Sequence, residues 1–223
     1  MRTSLGLLAA AAALALTTAP FAPAAAGPSA SPGVGTAGSV HHAAHPRFTY
    51  RFPVKGCRVT YSHYHHDYPA TDIYAARGCR YVAPINGTVD EVSRHDHWSP
   101  STNKGSQRGG LFVSVVGVDG VRYYGSHLEK VAPGIKPGVT VKRGQVLGRI
   151  GNSGDARGIA TQVHFGISWT TPHHIWWIRR GVIYPWPYLD AWRAGHLHKS
   201  PVAAIKRVLR KAGKRVPPCT ADC

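Results

Sequence analysis

The chain has 223 residues and carries 27 Lys and Arg against 10 Asp and Glu, a formal net charge of +17. Such a charge favours a polyanionic partner, and the alternative is that it only maintains solubility. The sequence contains no helix-turn-helix, zinc-finger or aromatic RNA-binding motif, which excludes the common nucleic-acid-binding classes.

The N-terminus has the pattern of an export signal. Arg2 precedes an apolar run over 5–16, and small residues at 24–26 provide an A-x-A cleavage site. The run is too short for a membrane anchor, and no later segment is apolar enough to span a bilayer. A buried Ala-rich helix is the alternative. We therefore predict a signal peptide at 1–26 and a secreted protein, followed at 27–47 by a flexible linker of Ala, Gly, Pro, Ser and His.

One folded domain is predicted at 48–195, a length sufficient to bury a core. Through its centre, short β-branched runs alternate with Gly, Pro, Asn and Asp turns, and no sustained helical period occurs. The clearest hairpin joins 113–118 to 121–127 through the turn pair Asp119-Gly120. This pattern predicts an all-β domain built from a compact antiparallel sheet.

Two later segments lack the strand pattern. Residues 169–188 are rich in Trp, Pro and His at irregular spacing, which predicts a long Trp-rich loop over the sheet. Its tryptophans are interpreted as cover for the core, with a substrate wall as the alternative: Trp169, Trp176, Trp177 and Trp186. In the basic tail at 196–223, apolar residues recur at helical spacing over 201–214. They predict a short basic amphipathic helix that either docks on the domain or binds an anionic surface.

The four cysteines indicate disulfides, because an exported chain enters an oxidising compartment. Three pairings are possible. We favour Cys57 with Cys79 and Cys219 with Cys223, since the second pair lies beyond the globular pattern. Free thiols or a zinc–thiolate site have less support, because neither pair has C-x-x-C spacing.

Polar residues in two segments form a candidate metal site. In HHDYPATD, His66 and Asp72 flank Pro69, and a His with a carboxylate is a suitable zinc ligand pair. In QVHFGIS, alternation places His164 on the same strand face as Gln162. A lone His on a strand is more often a satisfied polar residue than a ligand, so the argument depends on several motifs together.

Four motifs in order resemble the LytM/lysostaphin-type zinc endopeptidases of bacterial cell walls: HHDYPATDIYAARGCRYVAPINGTV, VRYYGSHL, PGVTVKRGQVLGRIGNSG and QVHFGIS. The resemblance implies a compact antiparallel sheet, a Zn²⁺ ion in a groove and peptidoglycan peptides as substrate. It also implies that His66, Asp72 and His164 hold the metal and that His127 is catalytic.

Two positions depart from the family pattern. The usual H-x-x-x-D motif would place Tyr68 in the His slot, so His66 can serve only if the turn is two residues longer. His65 and His63 are its rivals. The usual H-x-H motif has Gln162 in place of its first, catalytic His. A Gln can hydrogen-bond an oxyanion, but it cannot exchange a proton near neutral pH.

The sequence is therefore interpreted as a secreted, cell-wall-associated zinc metalloendopeptidase, which we expect to be a monomer without a nucleic-acid partner. Three protein ligands leave one zinc position open for water. His127 is expected to orient that water or move its proton, and Gln162 is expected to hold the tetrahedral oxyanion. The alternative is a non-catalytic wall-binding or regulatory protein, favoured by Gln162 and by the positive charge, which suits anionic wall polymers. A biotinyl or lipoyl carrier, considered for PGVTVKRGQVLGRIG, is discounted because Lys142 lacks a hairpin-tip context.

Overall fold

The computed structural model describes residues 47–213 and 216–219. The predicted signal peptide, nearly all of the linker and Cys223 of the predicted Cys219–Cys223 bond lie outside the described residues. The described strands are β1 Val54–Lys55, β2 Val59–Thr60, β3 Thr71–Ala75, β4 Arg80–Val82, β5 Gly87–Ser93, β6 Phe112–Gly117, β7 Arg122–Ser126, β8 Leu128–Val131, β9 Thr140–Val141, β10 Val146–Ile150 and β11 Gln162–Ser168. The helices are α1 Trp176–Arg179, α2 Trp186–Arg193 and α3 Val202–Ala212. None of these helices is long and apolar enough to cross a membrane.

The strands form two sheets. One has the order β1-β4-β10-β8, and the other has the order β2-β3-β11-β7-β6-β5-β9. The strand pairs within both sheets are antiparallel. The predicted all-β antiparallel class is therefore confirmed.

The hairpin of β6 and β7 has the turn that its sequence predicts. Gly120 adopts a positive φ of 75°, which glycine tolerates without strain. The Asp119 carboxylate accepts hydrogen bonds from the Val121 amide and from the hydroxyls of Tyr50 and Tyr123. This turn fixes the register of β7, and His127 follows directly at its end.

The Trp-rich segment is more regular than the predicted loop, because it contains α1 and α2. Tyr188, Leu189 and Trp192 are buried at helical spacing on α2. Pro187 lies in the first turn of that helix, where the missing N–H costs no hydrogen bond. The four tryptophans that the sequence singled out are only half-buried.

Two arginines and two acids tie the Trp-rich segment to the large sheet. Arg122 of β7 is fully buried and donates to Asp90 at 2.6 Å and to Glu91 at 3.0 Å. Arg179 of α1 donates to the same carboxylates at 2.6 and 2.9 Å. The two positive charges are thus balanced by two negative ones, as a buried ion network requires.

The predicted basic helix is present as α3, and its apolar side packs on the domain. Ile205 is buried, with Val202 and Val208 partly buried beside the core. Ahead of α3, the Tyr50 amide donates to the Leu197 carbonyl at 2.7 Å. The boundary at residue 195 stays a prediction, but residues beyond it contact the sheet domain.

The predicted bond between Cys57 and Cys79 is confirmed, with a Cα–Cα distance of 6.1 Å and a sequence separation of 22. Replacing both residues by Ala is expected to lower the free energy of unfolding by about 3 kcal/mol, because the bond restricts the unfolded chain. Urea denaturation of the oxidised wild type and the double variant measures this difference. Equal midpoints would show that the bond contributes nothing to stability.

Candidate active site and metal centre

The pairing of β3 with β11 brings two predicted metal ligands together. Asp72 lies directly opposite His164 in the register, and β7 places Ser126 on the other side of His164. Directly opposed residues of antiparallel strands point to the same face. The Nδ1 atom of His164 accordingly lies 3.0 Å from Oδ1 of Asp72.

Two neighbouring histidines reach this pair from the loop before β3. The His65 side chain is buried, and its Nε2 lies 3.8 Å from Oδ2 of Asp72. The His66 side chain is 66% exposed, and its Nδ1 lies 2.6 Å from Oδ2 of Asp67. Ligand atoms of His65, His66 and Asp72 all lie within 4.8 Å of one another. Both histidines therefore reach the carboxylate, but only His65 is buried against it.

His63, the other rival ligand, takes part in a different cluster. Its Nε2 lies 2.9 Å from Oδ2 of Asp190, and its ring stacks on Trp186 with 4.2 Å between centroids. Its sequence proximity to the motif therefore does not bring it into contact with Asp72 or His164.

Tyr68 enters the site from the position that the family motif gives to a histidine. Its hydroxyl lies 3.2 Å from Nε2 of His164, and its ring centroid lies 5.0 Å from that of His65. Burial raises the pKa of Tyr68, so its hydroxyl stays protonated at neutral pH. The Tyr68 hydroxyl therefore hydrogen-bonds Nε2 of His164, while Nδ1 of the same ring contacts Asp72.

His127 lines the same cavity as the candidate ligands. It has a positive φ of 61°, uncommon for a residue with a side chain and more frequent at functional sites. Hydrogen bonds through its amide to Gly109 and through its carbonyl from Gly151 hold this backbone. Its Nδ1 lies 2.8 Å from the Ser153 carbonyl, so Nδ1 donates and Nε2 is the acceptor nitrogen. The rings of His127 and His164 lie 6.0 Å apart, edge to face.

Gln162 begins β11 two residues before His164 and is buried on the same strand face. Its Oε1 is buried with no hydrogen-bond partner among the described residues. A buried amide oxygen left in this way is costly unless a ligand or water satisfies it. Gln162, His127 and the candidate ligands line one cavity of about 310 Å³.

The ionisation of these groups suits metal binding. Burial, together with the nearby His164, lowers the pKa of His65 and of His127 to about 4. Burial alone would raise the pKa of Asp72, but its hydrogen bond with His164 and the surrounding imidazoles lower it to about 2. At neutral pH His65 and His127 are therefore neutral and Asp72 is ionised, the forms that bind cations or accept protons.

The donor set and its spacing fit a zinc ion. Imidazole nitrogens and a carboxylate oxygen are common zinc ligands, and a tetrahedral site with bonds of about 2.0–2.1 Å separates ligand atoms by about 3.3 Å. The distances from the Asp72 carboxylate, 3.0 Å to His164 and 3.8 Å to His65, lie on either side of that value. These residues could therefore hold the metal with little movement.

Arg180 and Asp155 also line the cavity, and the sequence did not single out either of them. Arg180 follows α1 in the irregular Trp-rich segment, and Asp155 lies in a single 3-10 turn, Gly154–Ala156, before β11. Both segments are too short for a periodic sequence pattern, so nothing in the sequence marks these two as site residues.

Comparisons with known proteins relate part of this chain to one peptidase family. Residues 66–175 match Peptidase family M23. The match covers just under half of the chain. The resemblance predicted from the four motifs is therefore confirmed. The family segment includes all five predicted site residues, whereas His65 precedes it by one residue.

Individual relatives match more loosely. The L-Ala–D-Glu endopeptidase of Bacillus subtilis (strain 168) is 28% identical over 127 residues, which are 55% of this chain and 34% of that protein. The chain thus spans about a third of the length of that relative. A putative glycyl-glycine endopeptidase lytM from Ruminococcus gnavus is 20% identical with a TM-score of 0.50, over 66% of this chain and 61% of its own. The lysostaphin catalytic domain from Staphylococcus simulans is 22% identical, with a TM-score of 0.43. This match covers 60% of this chain and 92% of the lysostaphin domain.

Proposed function

We propose that this chain is a secreted, cell-wall-associated zinc metalloendopeptidase that hydrolyses peptide bonds of peptidoglycan. The match to Peptidase family M23 supports a peptide hydrolase, and the name of the Bacillus relative, an L-Ala–D-Glu endopeptidase, supports a bond within wall peptides. The observation that carries the proposal is the contact of Asp72 with His164 across two strands. His127 and Gln162 line the same cavity.

The proposed metal ligands are Asp72, His164 and one histidine of the loop before β3. The motif predicts His66, which belongs to the same group of potential ligands. Burial and the distance to the Asp72 carboxylate favour His65 for this position. Three protein ligands leave a position open, as in catalytic rather than structural zinc sites.

A zinc ion held there would act as a Lewis acid that activates water and polarises the scissile carbonyl. His127 is the proposed proton acceptor, because its Nδ1–H is fixed on the Ser153 carbonyl and its Nε2 is left to take the proton. Its low pKa keeps it neutral before the reaction. Gln162 is proposed to hold the developing oxyanion with its side-chain amide, which is buried in the same cavity.

Release of soluble peptide fragments from purified sacculi tests the proposal. The full zinc-loaded chain is expected to release fragments with new amino groups, and a chelator is expected to stop the release. Sacculi left intact by protein that carries one zinc per chain would contradict the proposed activity.

A second function has support from one position. Gln162 replaces a group that normally moves protons, and the charge of +17 suits retention on an anionic wall. A non-catalytic wall-binding or regulatory role would leave sacculi intact while the protein sediments with them. Fragment release by wild type that is lost in His127→Ala would exclude this role.

Restoring the family residue is expected to raise turnover. The Gln162→His variant should increase kcat by on the order of a hundredfold, because an imidazole supplies the acid–base help that an amide lacks. Counting amino groups released from sacculi per zinc-bound chain measures the change, and Gln162→Leu serves as the matched control that adds no proton carrier. A Gln162→His variant no faster than wild type would mean that residue 162 does not limit the reaction.

A further inference from the structure

Two consecutive buried arginines, Arg179 and Arg180, lie in different surroundings. Arg179 turns to the sheet, where Asp90 and Glu91 accept its hydrogen bonds at 2.6 and 2.9 Å. Arg180 turns to the candidate active-site cavity and is only 8% exposed. One arginine therefore belongs to the balanced ion network, and the other lines the cavity.

Arg180 makes no direct ion pair with a carboxylate of the described residues, although burial raises the pKa of Asp155 in the same cavity and the charge of Arg180 acts against that rise. Its Nη2 donates to the Gly105 carbonyl, and its guanidinium lies 4.6 Å from the ring centroid of Trp176. A carbonyl and an aromatic face stabilise a cation only in part. A buried charge without a directly paired counter-charge is expensive, so a carboxylate that reached the guanidinium would bind strongly there.

The acids that line the same cavity already have partners. Asp72 contacts His164 at 3.0 Å, and Asp67 contacts His66 at 2.6 Å. Asp155 lies 3.9 Å from Arg108 and, through its other oxygen, 3.9 Å from His127. Asp155 also interacts with the charge of Arg180, but none of these acids forms a direct ion pair with its guanidinium.

The backbone holds Arg180 firmly beside the reacting residues. The Arg180 carbonyl lies against Gly166 of β11, where any Cβ would clash with it. A Cβ on the next residue, Gly181, would clash with the Pro69 carbonyl. Because β11 also carries Gln162 and His164, this packing sets the position of the Arg180 backbone relative to the site. The Gly105 carbonyl and the Trp176 ring hold the guanidinium, which lowers the entropic cost of binding a ligand.

We infer that Arg180 binds a free carboxylate of the substrate peptide and so makes the chain selective for anionic wall peptides. A guanidinium matches a carboxylate through two parallel hydrogen bonds, which an ammonium or an amide cannot reproduce. This inference rests on the proposed function, since it names the substrate class of the same site. Arg180 would then be a specificity residue that leaves the chemistry to His127 and the metal.

Binding is tested with two probes and the full chain. One probe is a peptidoglycan stem peptide with its free carboxylates, and the other is the same peptide with every carboxylate converted to an amide. Calorimetric titration is expected to give a Kd tighter by on the order of tenfold to a hundredfold for the carboxylate form. Arg180→Gln should remove this preference and Arg180→Lys should restore part of it. Arg157→Gln, a surface change outside the cavity, should keep it.

The outcomes separate this inference from the proposed function. Equal binding of both probes to wild type, binding of neither, or an unchanged preference in a folded Arg180→Gln variant would overturn the inference. The wild-type comparison decides the matter even if that variant does not fold. Carboxylate-dependent binding without any cleavage would support Arg180 and count against the peptidase. Cleavage of both probes at equal kcat/KM would support the peptidase and count against the role of Arg180.

Discussion

The His127→Ala variant is expected to lower kcat for sacculus hydrolysis by on the order of a hundredfold to ten-thousandfold, the usual range for loss of a general base. His127 has the geometry for that role, because Ser153 fixes its Nδ1–H and burial keeps it neutral. With Gln162 unable to carry a proton, no second imidazole at the H-x-H position can compensate. Amino groups released per minute at saturating substrate measure the effect.

Zinc content separates a catalytic role of His127 from a ligand role. His127→Ala should retain one zinc per chain, because Asp72, His164 and the loop histidine are the proposed ligands. His97→Ala, an exposed histidine outside the cavity, is the matched control and should keep both zinc and turnover. A His127→Ala variant that loses its zinc, or that retains full turnover, would contradict the assignment.

Loss of a proposed ligand is expected to have the second large effect. Replacing His164 by Ala should weaken zinc affinity by more than about a hundredfold, since changing even an outer-shell partner costs ten- to a hundredfold. Asp72→Ala should do the same and also leave His164 without its hydrogen-bond partner. Equilibrium dialysis against a zinc buffer, with circular dichroism to confirm folding, measures both affinities.

The same dialysis decides between the two loop histidines. His65→Ala is expected to lose zinc and His66→Ala to retain it, because only His65 is buried against Asp72. The pair is well matched, since the substitutions are identical and adjacent in the chain. Loss of zinc in His66→Ala and its retention in His65→Ala would establish His66, the ligand that the motif predicts. The His66 ring would then have to break its contact with Asp67 to bind zinc.

The strands could be predicted from sequence because they follow from local patterns. Alternating β-branched runs and the Asp119-Gly120 turn specify the hairpin of β6 and β7 without any long-range information. Asp72 and His164 lie on strands that are distant in the chain, with a residue separation of 92, and the pairing that brings them together is not contained in a local pattern. The ligands themselves came from the order of the family motifs, and their role stays a prediction until zinc is measured.

Other features depend on contacts that no local pattern contains. His65 and His66 occupy equivalent places in the sequence, and only the packing of His65 against His164 and Tyr68 buries one of them. The spacing of Tyr188, Leu189 and Trp192 is helical, yet prolines and glycines around it obscured α2. Arg180 ends the short helix α1, and its carbonyl packs against a glycine of a distant strand.

Titration of zinc into the metal-free full chain, with new amino groups in purified peptidoglycan counted at each step, tests the central claim most directly. Cleavage should rise in proportion to zinc, reach its maximum at one ion per chain and be absent in His164→Ala throughout. Cleavage that is independent of zinc, or no cleavage at any zinc ratio by folded wild type, would contradict a zinc peptidase built on Asp72 and His164.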